Sequence, residues 1–361
     1  MNKHQSWDLK QMQSLPLEAK IVMTKQRIRQ WYDHWDGEVY VSFSGGKDST
    51  VLKHIVDNTS GVYDVPAVFV NTGLEYPEIQ SFVKDVKAGK YECFNSNVEI
   101  VRPEMRFDEV LKTYGYPVIS KDVSQAIYDS KTQAKINGID VRKTKLYNRG
   151  FNPESEYCKK YPSYCRARYD FLFDAPFDVS HRCCDVMKKK PAKKYEKETG
   201  RKAIIGTLAC ESRLRKTKWL QHGCNAFESS RPISQPMAFW TEQDVLHYIK
   251  KFNVPYCQVY GDIRVKPTKG TDEYQMSVID FLGCYEPEDT LETTGCNRTG
   301  CIFCMFGCYG KGVWNPTLKE THPRQYEYCI GGGEMVDGKW QPNKEGLGLG
   351  KVLDYIGVKY D

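Results

Sequence analysis

Residues 15 to 35 place Leu17, Ile21, Ile28, Trp31, Tyr32 and Trp35 at helical spacing, which predicts an amphipathic helix. A short strand-like run, EVYVSF (38–43), follows, and then a helix with Val51, Leu52, Ile55 and Val56 on one face. VPAVFV (65–70) reads as a buried strand. Pro77 starts a helix with Ile79, Phe82, Val83 and Val86 at i, i+3, i+4 and i+7, and NVEIV (97–101) is a third strand. Strands alternating with helices imply a parallel sheet with right-handed crossovers. The pattern fades over 115–180, rich in Tyr, Lys and Arg, which reads as an insertion over the ligand edge of the sheet. It resumes with a helix over 189–199 and a strand over 203–209. A further helix starts at Thr241, where Thr241 and Asp244 form a capping box and Val245, Leu246, Ile249 and Phe252 make the inner face. Beyond about 255 the chain reads as loop-rich, with Gly283, Gly295, Gly300, Gly307 and Gly310 among cysteines.

The expected class is α/β: a doubly wound, mostly parallel sheet with helices on both faces, plus a loop-rich, cysteine-containing C-terminal region. The expected segments are 1–36 (helical), 37–255 (the α/β domain with its insertion at about 115–180) and 256–361. The 361 residues fit about two domains. Charged residues are 27% and hydrophobic ones 40%, which excludes a disordered chain. No apolar run suits a signal peptide or a bilayer span, so the expected location is the cytoplasm, with no membrane partner. Only one of fourteen cysteines precedes residue 150. In a reducing compartment such clustering suggests metal or sulfur chemistry more than disulfides. The net charge of +6 permits anionic ligands without identifying one.

The segment SFSGGKDST (42–50) changes that picture most. A strand ends, Gly45 and Gly46 permit close backbone approach, and a helix starts. Backbone N–H groups there form a concave nest and the helix N-terminus adds partial positive charge. Lys47 supplies a point charge for phosphate oxygens, and Ser44 and Ser49 offer hydroxyls. A carboxylate at Asp48 beside phosphates makes sense if it helps hold Mg²⁺. The spacing is not that of a Walker A loop.

This string resembles the PP-loop of the ATP pyrophosphatase superfamily, whose members cleave ATP between the α- and β-phosphates, form an adenylylated intermediate and release pyrophosphate. NTGLEYPE (71–78), with Asn71, Thr72, Gly73 and Glu75, resembles the segment after the second strand in the phosphoadenosine phosphosulfate (PAPS) reductase branch. GTLACESRLR (206–215) looks like that branch's nucleotide and substrate loop, through Gly206, Glu211, Ser212, Arg213 and Arg215. RPISQPMAFWTEQDVLHYIKKFNVPY (231–256) is similar to its following segment. The resemblance covers roughly residues 37 to 310 and implies an adenine nucleotide, ATP or PAPS/adenylylsulfate, as ligand.

Two cysteine sites stand out: HRCCD, with Cys183 and Cys184, and GCNRTGCIFCMFGC, with Cys296, Cys301, Cys304 and Cys308. A C-x-x-C spacing chelates thiolate-loving metals. Tandem cysteines with a later C-x-x-C look like the [4Fe–4S] signature of adenylylsulfate reductases. Carried over by position, the ligands are Cys183, Cys184, Cys301 and Cys304. A zinc site or free thiols are the alternatives, and Cys296 or Cys308 could replace a tandem cysteine. Cys224 is a weaker candidate for a working thiol.

Residues 182–202 hold nine Lys or Arg against three acidic residues, and 147–173 interleave eight aromatic residues with basic ones. Such patterns suit nucleic acid or another large anion; a solvated helix face with packing aromatics accounts for them as simply. Two enzymatic functions compete. One is adenylylation of an acceptor with pyrophosphate release, supporting Fe–S-dependent sulfur transfer. Its partners would be a sulfur or electron donor protein and an acceptor that nucleic acid could supply. The other is PAPS or adenylylsulfate reduction to sulfite. The reductases usually lack the full Gly-Gly-Lys-Asp and attack with a cysteine in Glu-Cys-Gly-x-His, whereas the late Cys329 sits in YEYCIGGG. A third reading is a non-catalytic, nucleotide-gated Fe–S partner protein.

Overall fold

The computed structural model describes residues 3–266 and 289–360, so Gly283 and Cys284 lie outside the described residues. The chain divides into two compact units, each discontinuous in sequence. The first comprises residues 1–71, 75–101 and 194–299, and the second 72–74, 102–193 and 300–361.

The first unit is built on a six-stranded sheet. Its strands are β1 (Val39–Ser42), β2 (Ala67–Val70), β3 (Val98–Val101), β4 (Lys202–Ile205), β5 (Asn225–Ala226) and β6 (Ile233–Ser234). The order is β3-β2-β1-β4-β6-β5, parallel throughout except for β5 against β6. Val39, Tyr40 and Val41 of β1 and Ala67, Val68 and Phe69 of β2 are all buried, as parallel strands covered on both faces must be. Helices flank the sheet. Leu17–His34 buries Leu17, Ile28 and Trp31, while Ile21, Tyr32 and Trp35 of the same stripe stay partly exposed. Lys47–Asp57 buries Val51, Leu52, Ile55 and Val56, and Pro77–Lys87 buries Ile79, Phe82, Val83 and Val86. Burying four such side chains contributes roughly 6–12 kcal/mol before entropy is set against it.

Several boundaries differ from expectation. The strand predicted over 203–209 ends at Ile205, where Gly206 packs against the backbone of the first turn of the helix that follows β1. Thr241 caps the helix Glu242–Phe252 with Asp244 at N3 as predicted, but Phe252 is 44% exposed rather than inward. It lies in the last turn, just before an Asn253 in the left-handed region ends the helix. The helix Ser6–Gln13 was not signalled by periodicity.

The second unit is mainly helical, and part of it is the segment 115–180 that carries no clear period. Its longest helix, Lys121–Asn137, is capped by Ser120, whose side chain accepts from the Val123 N–H at 3.2 Å. Aromatic pairs hold its interior: Phe107 with Phe303, Tyr116 with Phe177, and Trp314 with Tyr326. A disulfide joins Cys158 to Cys165, which corrects the expectation that the cysteines serve metal or sulfur chemistry more than disulfides. The tight segment between them brings the two Cα atoms to 4.8 Å, within bonding geometry. No helix among the described residues is long and apolar enough to cross a membrane.

Candidate functional site

The loop after β1 sits where the strand order reverses, between β1 and β4, the position at which open α/β sheets bind ligands. Its backbone is fixed by three close approaches. Gly45 has φ +71°, and a Cβ there would lie 2.9 Å from Ile79 and 3.0 Å from Val83, so the apolar stripe of the helix Pro77–Lys87 sets the loop's shape. Gly46 faces Tyr260 and Thr299. A Cβ on Gly206 would lie 2.9 Å from the Asp48 carbonyl oxygen, so the end of β4 packs directly on the first helical turn. Inside the loop the Ser44 and Ser49 hydroxyls lie 2.9 Å apart, and Ser49 Oγ accepts the Ser44 N–H at 3.2 Å.

Lys47 is buried. Its Nζ donates to the Asn297 carbonyl at 2.9 Å and pairs with Glu242 at 3.0 Å. The Lys47 N–H donates to the Tyr260 hydroxyl at 3.1 Å, and that hydroxyl lies 2.8 Å from Thr299 Oγ1. Asp48 Oδ1 is buried with no hydrogen-bond partner. Burial pushes its carboxyl above the usual carboxylate range, with Lys47, Arg298 and Arg215 pulling it back. An orphaned, buried carboxylate oxygen in a phosphate-type loop fits a divalent cation such as Mg²⁺.

The segment after β4 closes one side. Glu211 accepts the Leu208 N–H at 3.1 Å and pairs with Arg215 and, at 3.4 Å, with Arg298. Ser212 caps the helix Arg213–His222 by accepting the Arg215 N–H, and Arg213 at its first position is exposed. Burial and Arg298 hold Arg215 below the usual guanidinium range, as expected of two cations drawn to one place. The structure thus groups Ser44, Gly45, Gly46, Lys47, Asp48, Ser49, Gly206, Glu211, Ser212 and Arg215 in the first unit. Asn71, whose N–H donates to the Val101 carbonyl at 2.9 Å, and Glu75 belong to that unit, whereas Thr72 and Gly73 belong to the second.

All four cysteines assigned to a cluster fall in the second unit. Cys183 and Cys184 open a helix at a π-turn, Asp185–Lys189, with Sγ atoms 4.0 Å apart. Such turns recur at functional sites. Cys301 and Cys304 lie in a tight turn, closed by the Cys304 N–H on the Cys301 carbonyl at 3.1 Å. Trp314 and Asn315 brace it by donating to the Cys304 and Ile302 carbonyls. The contact with Cys184 and burial, with smaller contributions from Cys304 and Cys301, push the Cys183 thiol up, and burial, with Cys301 and Cys184 adding to it, raises Cys304. The Cys183 contact, with Lys188 and Lys121, pulls the Cys184 thiol down. Among the described residues no three ligand-type side chains sit at the mutual spacing of a single metal ion. Four thiols in two pairs are the donor chemistry that a four-iron cluster takes. The remaining candidates are poor thiolates. Burial pushes Cys308 up to about 11 and Cys329 up to about 12, and raises Cys224 and Cys296 as well.

A family model described as the phosphoadenosine phosphosulfate reductase domain matches residues 38–305, most of the chain. The chain belongs to the PAPS reductase family. It is therefore a PP-loop superfamily member. An uncharacterized protein of Methanocaldococcus jannaschii is 35% identical over 91 residues, 25% of this chain. The match spans only 18% of that relative's length. A phosphoadenylyl-sulfate reductase from Candida auris, solved as a phosphate complex, is 17% identical with a TM-score of 0.36, over 68% of this chain and 91% of that one.

Four residues of the loop's surroundings escaped sequence reasoning: Glu242, Tyr260, Arg298 and Thr299. Arg298 and Thr299 stand inside GCNRTGC, where the cysteines drew the reading. Tyr260 occupies the Lys47 backbone donor in this PAPS reductase family member, so a phosphate oxygen entering the loop would have to displace its hydroxyl. Tyr260→Phe removes one net hydrogen bond of about 0.5–1.5 kcal/mol from the empty loop. It is expected to tighten ATP binding about 2- to 10-fold in calorimetric titrations; weaker binding would show that the hydroxyl holds the ligand instead.

Proposed function

We propose that this chain is an ATP pyrophosphatase-type enzyme that adenylylates an acceptor and supports Fe–S-dependent sulfur transfer. The observation that carries this reading is the complete phosphate loop with the buried, unpartnered Asp48 oxygen beside Lys47. A reductase binding PAPS has no pyrophosphate leaving group and no need for a cation-holding carboxylate there.

In this reading the nest of Ser44, Gly45, Gly46 and Ser49 binds the β- and γ-phosphates. Lys47 exchanges its Asn297 and Glu242 contacts for phosphate oxygens, and Asp48 would hold Mg²⁺, which would supply charge neutralisation at the leaving group. Arg215, with Arg298 beside it, contacts the α-phosphate or the acceptor; exposed Arg213 is the weaker candidate. An acceptor oxygen attacks the α-phosphorus, the bond to the bridging oxygen of the β-phosphate breaks, and its electron pair leaves with pyrophosphate. Preorganised donors aimed at that charge are worth several kcal/mol. Cys183, Cys184, Cys301 and Cys304 would hold a [4Fe–4S] cluster, which supplies electron or sulfide chemistry when bound. The partners are a sulfur or electron donor protein and the acceptor, and the proposed location is the cytoplasm.

The family name favours a reductase as the second reading. Against it, the two late thiols available as nucleophiles, Cys308 and Cys329, are buried and held protonated. Competition binding in Mg²⁺ tests the choice. Pyrophosphate is expected to displace ATP competitively. Pyrophosphate that does not compete, with ATP bound no better than AMP, overturns the assignment of the loop to a leaving pyrophosphate.

A further inference from the structure

Residues 142–168, in the second unit, hold eight Lys or Arg against two acidic residues, and the nucleotide loop uses none of them. The aromatic residues of this stretch and of the turn that follows it divide. Phe151, Tyr169 and Phe173 are buried, and Tyr147 stacks on Phe151 and donates to Asp170, so these are core. Tyr161 and Tyr164 are 43% and 51% exposed. They stand on the loop Lys159–Tyr164, whose ends the Cys158–Cys165 disulfide ties together.

The cations divide as well. Arg142 is taken by Asp170 and Asp174, Arg166 by Asp122, and Lys159 by Glu154. Lys143, Lys145, Arg149, Lys160 and Arg168 have no carboxylate partner among the described residues, and all five are exposed. Two of them lie on rings: Arg149 over Tyr157 at 4.9 Å and Lys160 over Tyr161 at 5.4 Å. Arg149 and Tyr157 also line a cavity of about 300 Å³, together with Gln125, Asp129 and the Asp122–Arg166 ion pair. Its lining thus combines an aromatic ring with carboxylate and amide oxygens, which repel phosphate and accept amino groups.

We propose that this face binds single-stranded nucleic acid. Phosphates lie on Lys143, Lys145 and Lys160, bases stack on Tyr161 and Tyr164, and one base enters the Tyr157 cavity with its edge toward Gln125 and Asp129. The charge alone would suit any polyanion. The exposed rings and the base-sized cavity with acceptor groups select a partner that carries flat, amino-bearing rings, and only unpaired bases can reach them. The proposal does not rest on adenylyl transfer, because binding needs no ATP, so either can fail alone.

Fluorescence anisotropy on the full chain, without nucleotide, tests it with labelled 15-nucleotide RNA, DNA of the same sequence, and the DNA duplex, across a salt series. Both single strands are expected to bind at least about tenfold more tightly than duplex, and the tighter of the two identifies the sugar preferred. Lys143→Ala/Lys145→Ala/Lys160→Ala should reduce the slope of log K against log salt by about 2. Tyr161→Ala/Tyr164→Ala should weaken binding at least about 5-fold and leave that slope unchanged. All these side chains are at the surface, so thermal midpoints should stay within a few degrees of the parent. Duplex bound as tightly as single strands, polyglutamate competing as well as RNA, or unchanged affinity in both variants overturns the proposal.

Discussion

Asp48→Asn is expected to lower pyrophosphate release from ATP about 100- to 1,000-fold, the loss of about 3–4 kcal/mol of stabilisation on a developing anion. The same change should leave folding stability unaltered or raise it by about 1 kcal/mol. The carboxylate is buried, one oxygen has no partner, and burial holds its acid above the usual range. A neutral amide therefore removes a cost in the empty protein while removing the group that holds the cation. The pH dependence has the matching sign. Activity that needs ionised Asp48 rises with pH through its raised acid range, and added Mg²⁺ moves that rise to lower pH. Circular dichroism melting and a coupled pyrophosphate assay read both halves. A variant that melts earlier and loses activity in proportion would make Asp48 a structural residue.

Replacing Cys301 or Cys184 with serine is expected to abolish iron binding. Protein purified anaerobically should carry about four irons and four sulfides per chain, and each variant fewer than one of either. The size of the effect follows from geometry. Each pair supplies half of the thiolates, and among the described residues the turn at Cys301 and Cys304, braced by Trp314 and Asn315, has no neighbouring thiol poised to replace one: Cys308 is turned to the Met305 carbonyl at 2.9 Å. Cys224→Ser and Cys158→Ser should keep full iron content. A colourless protein holding zinc on the same four thiols would reject the cluster, and iron retained in Cys184→Ser would move the ligand to Cys296 or Cys308.

The phosphate loop was legible because its chemistry is local. Six consecutive residues, a strand before them and a helix after them carry the whole motif. Its surroundings were not, because they arrive from far along the chain: Tyr260 and Thr299 reach Gly46 by packing that no short window contains. The helix Lys121–Asn137 was missed for another reason. Two of its four buried positions are Ser124 and Ser130, so its inner face is not apolar and its period is erased. Its ends still carried signals, Ser120 as N-cap and Gly138 at φ +61° as terminator. The pairing of Cys158 with Cys165 runs against the expectation of reduced thiols, and only the short turn Pro162–Tyr164 between them marks their closeness. The four cysteines proposed to hold a cluster were linked as two pairs 117 residues apart only through the family pattern, and their common membership of the second unit needed the structure.

Product analysis with the two competing nucleotides tests adenylyl transfer most directly. Anaerobically purified protein is incubated with Mg²⁺ and, separately, ATP or PAPS, and products are separated by chromatography. The account predicts AMP and pyrophosphate in equal amounts from ATP, and no sulfite from PAPS. Sulfite with adenosine 3′,5′-bisphosphate from PAPS, and intact ATP, would contradict it.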